Sequence, residues 1–69
     1  MAKEIDARGL SCPQPMMLVK KAIDTGENEI VVIADDAVAV SNVKRLAENY
    51  GYSAEIENKG TITLITLNR

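Results

Sequence analysis

Residues Glu29–Asp36 read EIVVIADD. The five residues from Ile30 to Ala34 are all apolar and mostly β-branched, so an extended chain here presents apolar side chains on both faces. That pattern suits a strand with neighbours on either side rather than a half-exposed one. Asp35 and Asp36 end the strand. Asp36 also carries the short acceptor side chain that a helix N-cap needs. From Ala37 the apolar residues Ala39, Val43, Leu46, Ala47 and Tyr50 recur at helical spacing, and Gly51 supplies a stop, giving a helix of about four turns.

Beyond that helix the chain alternates. In YSAEIE the residues Tyr52, Ala54 and Ile56 fall on one face of a strand over Tyr52–Glu57, and NKG, Asn58–Gly60, predicts a hairpin turn. The return strand runs over Thr61–Leu67. Ile62, Leu64 and Thr66 share one of its faces and Ile65 and Leu67 the other, which places it inside the sheet.

Upstream of the central strand, Pro15, Leu18, Val19, Ala22 and Ile23 form an apolar stripe with Lys20, Lys21 and Asp24 off it. This is a helix of about three turns, stopped by TGEN at Thr25–Asn28 with Gly26 as its left-handed closing residue. A short strand, Lys3–Ala7, precedes it. The order is βαβαββ, and the right-handed crossover rule sets both helices on one face of a four-stranded mixed sheet. The expected architecture is thus a two-layer α/β (α+β) sandwich formed as a single domain over residues 1–69.

Composition narrows the function. Hydrophobic residues make up 46% and charged residues 26%, the balance of a chain that folds on its own. Two tyrosines are the only aromatics and the net charge is -2, so neither the stacking platforms nor the cationic surface of a nucleic-acid binder is present. The longest apolar run is far shorter than the ~20 residues of a membrane span, and MAKEIDARG lacks a signal-peptide core, which points to the cytoplasm. One cysteine and no histidine offer no metal constellation, no Cys/His dyad and no internal disulfide.

That cysteine lies in DARGLSCPQP, Asp6–Pro15. A helix beginning at Pro13 makes Cys12 its N-cap, Pro13 its first residue and Pro15 its third, all tolerated because first-turn amides have no intrahelical acceptor. The positive end of the helix then lowers the pKa of the thiol. The prolines remove two of the donors available there and leave Gln14 and Cys12 to face an anion, so they favour fixed exposure of the sulfur over acidity. Two readings of Cys12 stand side by side: a buried, inert small hydrophobe at an ordinary helix start, or a reactive thiol.

Asp6, Gly9, Cys12, Pro13 and Pro15 reproduce D-x-x-G-x-x-C-P-x-P, and with IADD at Ile33–Asp36 the chain resembles the TusA/SirA-like family of small sulfur carriers over nearly its whole length. The segments DARGLSCPQP and AENYGYSAEIENKG also resemble the N-terminal domain of YedF-like proteins linked to selenium metabolism. The resemblance implies that Cys12 accepts sulfur as a persulfide from a cysteine desulfurase or another donor and hands it to an acceptor sulfurtransferase, as a carrier rather than a turnover enzyme, without a cofactor. Protein partners, no nucleic acid, no membrane and a monomer are expected. Sulfur or selenium remains open as cargo.

Around Cys12, Asp6 is expected to steady the loop by accepting amide hydrogens and Gly9 to supply backbone geometry. Arg8 reads as either a cation for an anionic persulfide or a solvated side chain. Met16 and Met17 fall off the helix stripe and could line an adaptable docking surface or fill gaps in the core. With Arg8, Gln14 and Lys20 they form the candidate partner surface, while Lys21, Lys44 and Arg45 could add attraction for an acidic partner or be simply solvated. Two other classes compete with the carrier: a non-catalytic interaction or regulatory module of sulfur or selenium metabolism, and a thiol redox sensor, which usually needs a second, resolving cysteine.

Overall fold

The computed structural model describes residues 2–11 and 13–69. Its elements follow the expected order: β1 (Lys3–Asp6), α1 (Gln14–Asp24), β2 (Glu29–Ala34), α2 (Ala37–Asn49), β3 (Ser53–Lys59) and β4 (Ile62–Asn68). The strands form one mixed sheet in the order β1-β2-β4-β3, with β1 parallel to β2 and β4 antiparallel to both of its neighbours. The apolar β2 and β4 hold the two inner positions, as their two-faced patterns require. From β1 to β2 and from β2 to β3 the chain steps across the sheet in the same direction, so two right-handed crossovers leave both helices on the same face. α1 and α2 pack against each other there.

Register fixes which side chains meet. Val32 lies opposite Ile65 and Ile30 opposite Leu67, all four with no exposed surface, and Ile5 of β1 adjoins Val32. Val19, Ala22 and Ile23 from α1 and Val43 and Ala47 from α2 close this core from above. The other face of the sheet carries Val31, Ile33, Leu64 and Thr66, which are only half-buried. The edge strand β3 is protected by charge, with Glu55, Glu57 and Lys59 along it.

Both helices end the same way. After α2, Gly51 (φ +86°) donates to the Glu48 carbonyl and Tyr52 to that of Ala47; after α1, Gly26 (φ +83°) donates to Ile23 and Glu27 to Ala22. These paired bonds satisfy the last carbonyls through a left-handed glycine. Asp36 caps α2 as expected, accepting the Val38 amide at 3.0 Å.

Four expectations need correction. α1 starts at Gln14, one residue late, with Pro13 at the cap position (φ -99°, ψ 15°) and Pro15 as its second residue. The Gln14 amide already donates to the Ser11 carbonyl, ahead of the first helical bonds. Leu18 and Tyr50 leave the core side and are 40% and 44% exposed, Leu18 because the stripe narrows to Pro15, Val19, Ala22 and Ile23, and Tyr50 because it already lies at the C-cap of α2. Ile56 is also largely exposed, since the helices do not reach that part of edge strand β3. Finally, β3 continues through Asn58 and Lys59, and the hairpin turns on Gly60 and Thr61 alone. Gly60 has φ +80°, and among the described residues only glycines have a positive φ, the pattern of a two-residue turn with glycine first.

Candidate functional site

The carboxyl ends of the parallel pair β1 and β2 lie side by side, Asp6 opposite Ile33, and the loop from β1 to α1 rises from that edge. Open α/β sheets commonly place their chemistry at this edge. The loop leaves β1 still tied to the sheet: the Ala7 amide donates to the Ile33 carbonyl at 2.8 Å, and buried Ala7 then starts a turn closed by Leu10 N–H to the Ala7 carbonyl at 3.3 Å. Gly9 is the third residue of that turn with φ +74°, a position that side-chain-bearing residues rarely adopt. Leu10 packs against the core, so the loop returns to the protein before reaching the helix.

Two carboxylates hold the turn. Asp6 Oδ1 accepts the Arg8 amide at 3.1 Å and Arg8 Nε at 2.9 Å, and Oδ2 accepts Arg8 Nη2 at 2.8 Å. Hydrogen bonds from the Arg8 side chain, then from its amide, pull the Asp6 carboxyl down to a pKa of about 2, and the same pairing raises that of Arg8. Arg8 is therefore neither a free cation nor merely solvated; it is the clamp on Asp6. Asp35 supplies the second hold, its Oδ2 accepting the Gly9 amide at 3.1 Å. Local pattern assigns Asp35 only the end of a strand and a place in the IADD segment. One signal was available: two aspartates follow β2, and α2 needs only one as its cap.

Cys12 lies outside the described residues, as does its expected N-cap role. Its chain neighbours Ser11 and Pro13 are exposed. From Pro13 an open groove of about 580 Å³ runs between the helices, lined by Met16, Met17, Lys20 and Thr25 of the α1 side and by Leu46 of α2. A second hollow of about 270 Å³ is formed by Leu10, Gln14, Met17 and Leu18. Met17, 64% exposed, borders both.

The structure thus brings together four of the five residues expected on a partner surface. Met16, Met17 and Lys20 share the groove and Gln14 meets Met17 in the smaller hollow, whereas Arg8 is drawn off to Asp6. Lys20 is not a loose charge either: Nζ bonds both oxygens of Asp24 and sits 5.2 Å from the centre of the Tyr50 ring. Its bond to Asp24 raises its pKa. Leu10, Leu18 and Leu46 also belong to this surface, and helical period places Leu18 and Leu46 on the core stripes because it cannot tell the margin of a stripe from its centre.

Pro15 has a different task from the one its rigidity suggests, being fully buried under the helix start. The Gln14 amide, expected to face an anion, is used by Ser11 at 2.9 Å. No acidic side chain occupies the first turn of α1. Among the described residues there is no cluster of three or more potential metal ligands, and no helix is long and apolar enough to cross a membrane.

Comparison with known proteins supplies what geometry alone does not. Residues 3–69 match the family described as Sulfurtransferase TusA. Two archaeal relatives bear the name "Putative sulfur carrier protein": one from Methanocaldococcus jannaschii, 43% identical across 74% of this chain and 71% of its own, and one from Archaeoglobus fulgidus, 37% identical across 71% and 66%. The crystal structure of a SirA-like protein from Desulfitobacterium hafniense superimposes with a TM-score of 0.85 at 32% identity, over 99% of this chain and 96% of that one.

Proposed function

The chain belongs to the TusA sulfurtransferase family, and we propose that it is a sulfur carrier whose cargo rides on Cys12 as a persulfide. The observation that carries this reading is the lone cysteine of a chain matching that family over residues 3–69, whose neighbour in sequence, Pro13, lines the α1 groove. The Cys12 thiolate attacks the outer sulfur of a persulfide on a donor protein. A new S–S bond forms at Cys12, the donor's own S–S bond breaks, and the donor cysteine leaves with the electron pair as a thiolate. The outer sulfur keeps its proton or loses it to solvent, and no external oxidant or reductant is consumed. The reverse sense of the same exchange delivers the sulfur to an acceptor.

One thiol is enough for such a relay, and a chain with a single cysteine cannot trap the persulfide as an internal disulfide. The donor in this reading is a cysteine desulfurase or another persulfide-bearing protein, and the acceptor a second sulfurtransferase, all in the cytoplasm. Each partner docks over Met16, Met17 and Leu46, whose flexible and partly exposed apolar side chains suit a surface that receives more than one protein.

Incubation with a cysteine desulfurase and cysteine tests the reading. Intact-mass measurement is expected to find one added sulfur atom on the wild type, removable by a reducing thiol, and none on Cys12→Ser. Failure of several donors to load the wild type would overturn it.

A further inference from the structure

Asp35 and Asp36 follow β2 as an identical pair but do different things. Asp36 caps α2 through Val38, while Asp35 turns away from its own helix and accepts the amide of Gly9, 26 residues earlier, at 3.1 Å. That amide belongs to a turn whose own closing bond, Leu10 to Ala7 at 3.3 Å, lies at the long end of the useful range. Upstream of the turn the chain is fixed by Ala7 on Ile33, and downstream the next backbone tie is Gln14 on Ser11, inside the helix entrance itself. Between these, among the described residues, two carboxylates tie the sheet side to the segment that leads into Cys12: Asp6 on the Arg8 amide, from two residues upstream at the strand end, and Asp35 on the Gly9 amide, from across the sheet. The Asp35 bond is exposed, so water can replace it at little cost in folding free energy. What water cannot replace is the fixed position of the loop. The Arg8 guanidinium, held mainly by Asp6, also lies within the field of Asp35, so both carboxylates act on the same four residues.

We propose that Asp35 is a positioning residue for sulfur transfer: through the Gly9 amide it fixes the β1–α1 loop and hence the presentation of Cys12 to the incoming persulfide. The proposal rests on the sulfur-carrier reading of Cys12. Because Asp35 does not line the helix groove, it acts on the transfer step and not on docking. The hydrogen-bond acceptor is the active feature and the charge is not.

Asp35→Ala and Asp35→Asn separate these. Single-turnover transfer from a persulfide-loaded cysteine desulfurase is followed as a function of carrier concentration, together with thermal melting and hydrogen exchange of the Gly9 amide. For Asp35→Ala the limiting transfer rate is expected to fall about tenfold, as a loosely held reacting group should, with half-saturation and melting temperature unchanged and Gly9 exchange faster. Asp35→Asn, whose side-chain oxygen accepts the same bond, should restore the rate to within about threefold of wild type. An Asp35→Ala protein that transfers at the wild-type rate overturns the proposal, as does an Asp35→Asn protein as slow as Asp35→Ala. A wild type that takes up no sulfur from a loaded donor overturns the carrier reading itself, and is recognised before either variant is compared.

Discussion

The amide of Gly9 and the carboxylate of Asp35 meet at 3.1 Å across 26 residues of chain. This contact joins the end of the central strand to the turn ahead of α1, and with the Asp6–Arg8 clamp it holds that turn to the sheet. The buried Pro15 then fixes the helix start from the core side. Loop and helix entrance are therefore held from two directions, while the surface beside them, Met16, Met17 and Leu18, is left open.

The Asp6 carboxyl should titrate well below an ordinary aspartate. Its pKa of about 2 lies under the usual 3.8, so the clamp stabilises the folded state fully above the higher value and progressively less as pH falls through the lower one. NMR titration of the side-chain carboxyl checks this. In Arg8→Ala, which removes the guanidinium bonds and keeps the amide, the midpoint should rise toward the ordinary value; an unmoved midpoint would show that Arg8 is not the cause.

Tyr52 ties two parts of the fold together. Its ring is buried, 3% exposed, and its hydroxyl donates to the Glu27 carbonyl in the α1–β2 loop. Tyr52→Phe keeps the ring and deletes the bond. A loss of about 1 kcal/mol is expected, seen as a melting temperature lower by about 4–8 °C in a domain this small.

Met17 offers a test of the groove without a folding penalty. It is 64% exposed and borders both hollows, so Met17→Glu should change stability by less than about 0.5 kcal/mol. If partners dock there, the carrier concentration needed to half-saturate a desulfurase should rise about tenfold, a cost of ~1.4 kcal/mol in binding. Equal half-saturation would place the partner surface elsewhere.

The fold was legible where local chemistry and tertiary burial agree. Asp36 could be read as a cap because its partner, Val38, is two residues away, and the position of β4 inside the sheet followed from Ile65 and Leu67 on one face and Ile62 and Leu64 on the other. The helix start was displaced by one residue because the amide of Gln14 had an unforeseen local acceptor in Ser11. The hairpin moved because Asn58 and Lys59, poor strand formers, are carried into β3 by pairing with Thr63 and Ile62, and Asn58 accepts the Gly60 amide at 3.2 Å. The Asp35 tie and the groove wall at Leu46 depend on which elements the topology brings together, and no local pattern encodes that. Asp6 and Gly9 stand in the motif, but the clamp of Arg8 on Asp6 arises only from the turn that folds its guanidinium back onto the carboxylate.

In the proposed relay, sulfur enters and leaves this protein through Cys12. The most direct test supplies cysteine carrying isotopically labelled sulfur to a desulfurase with the protein present, isolates the protein, and then treats it with cyanide, which removes a persulfide's outer sulfur as thiocyanate. One labelled sulfur per chain is expected, released entirely as thiocyanate, and no label on Cys12→Ser. Label that is retained after cyanide, or that loads equally onto Cys12→Ser, would contradict it.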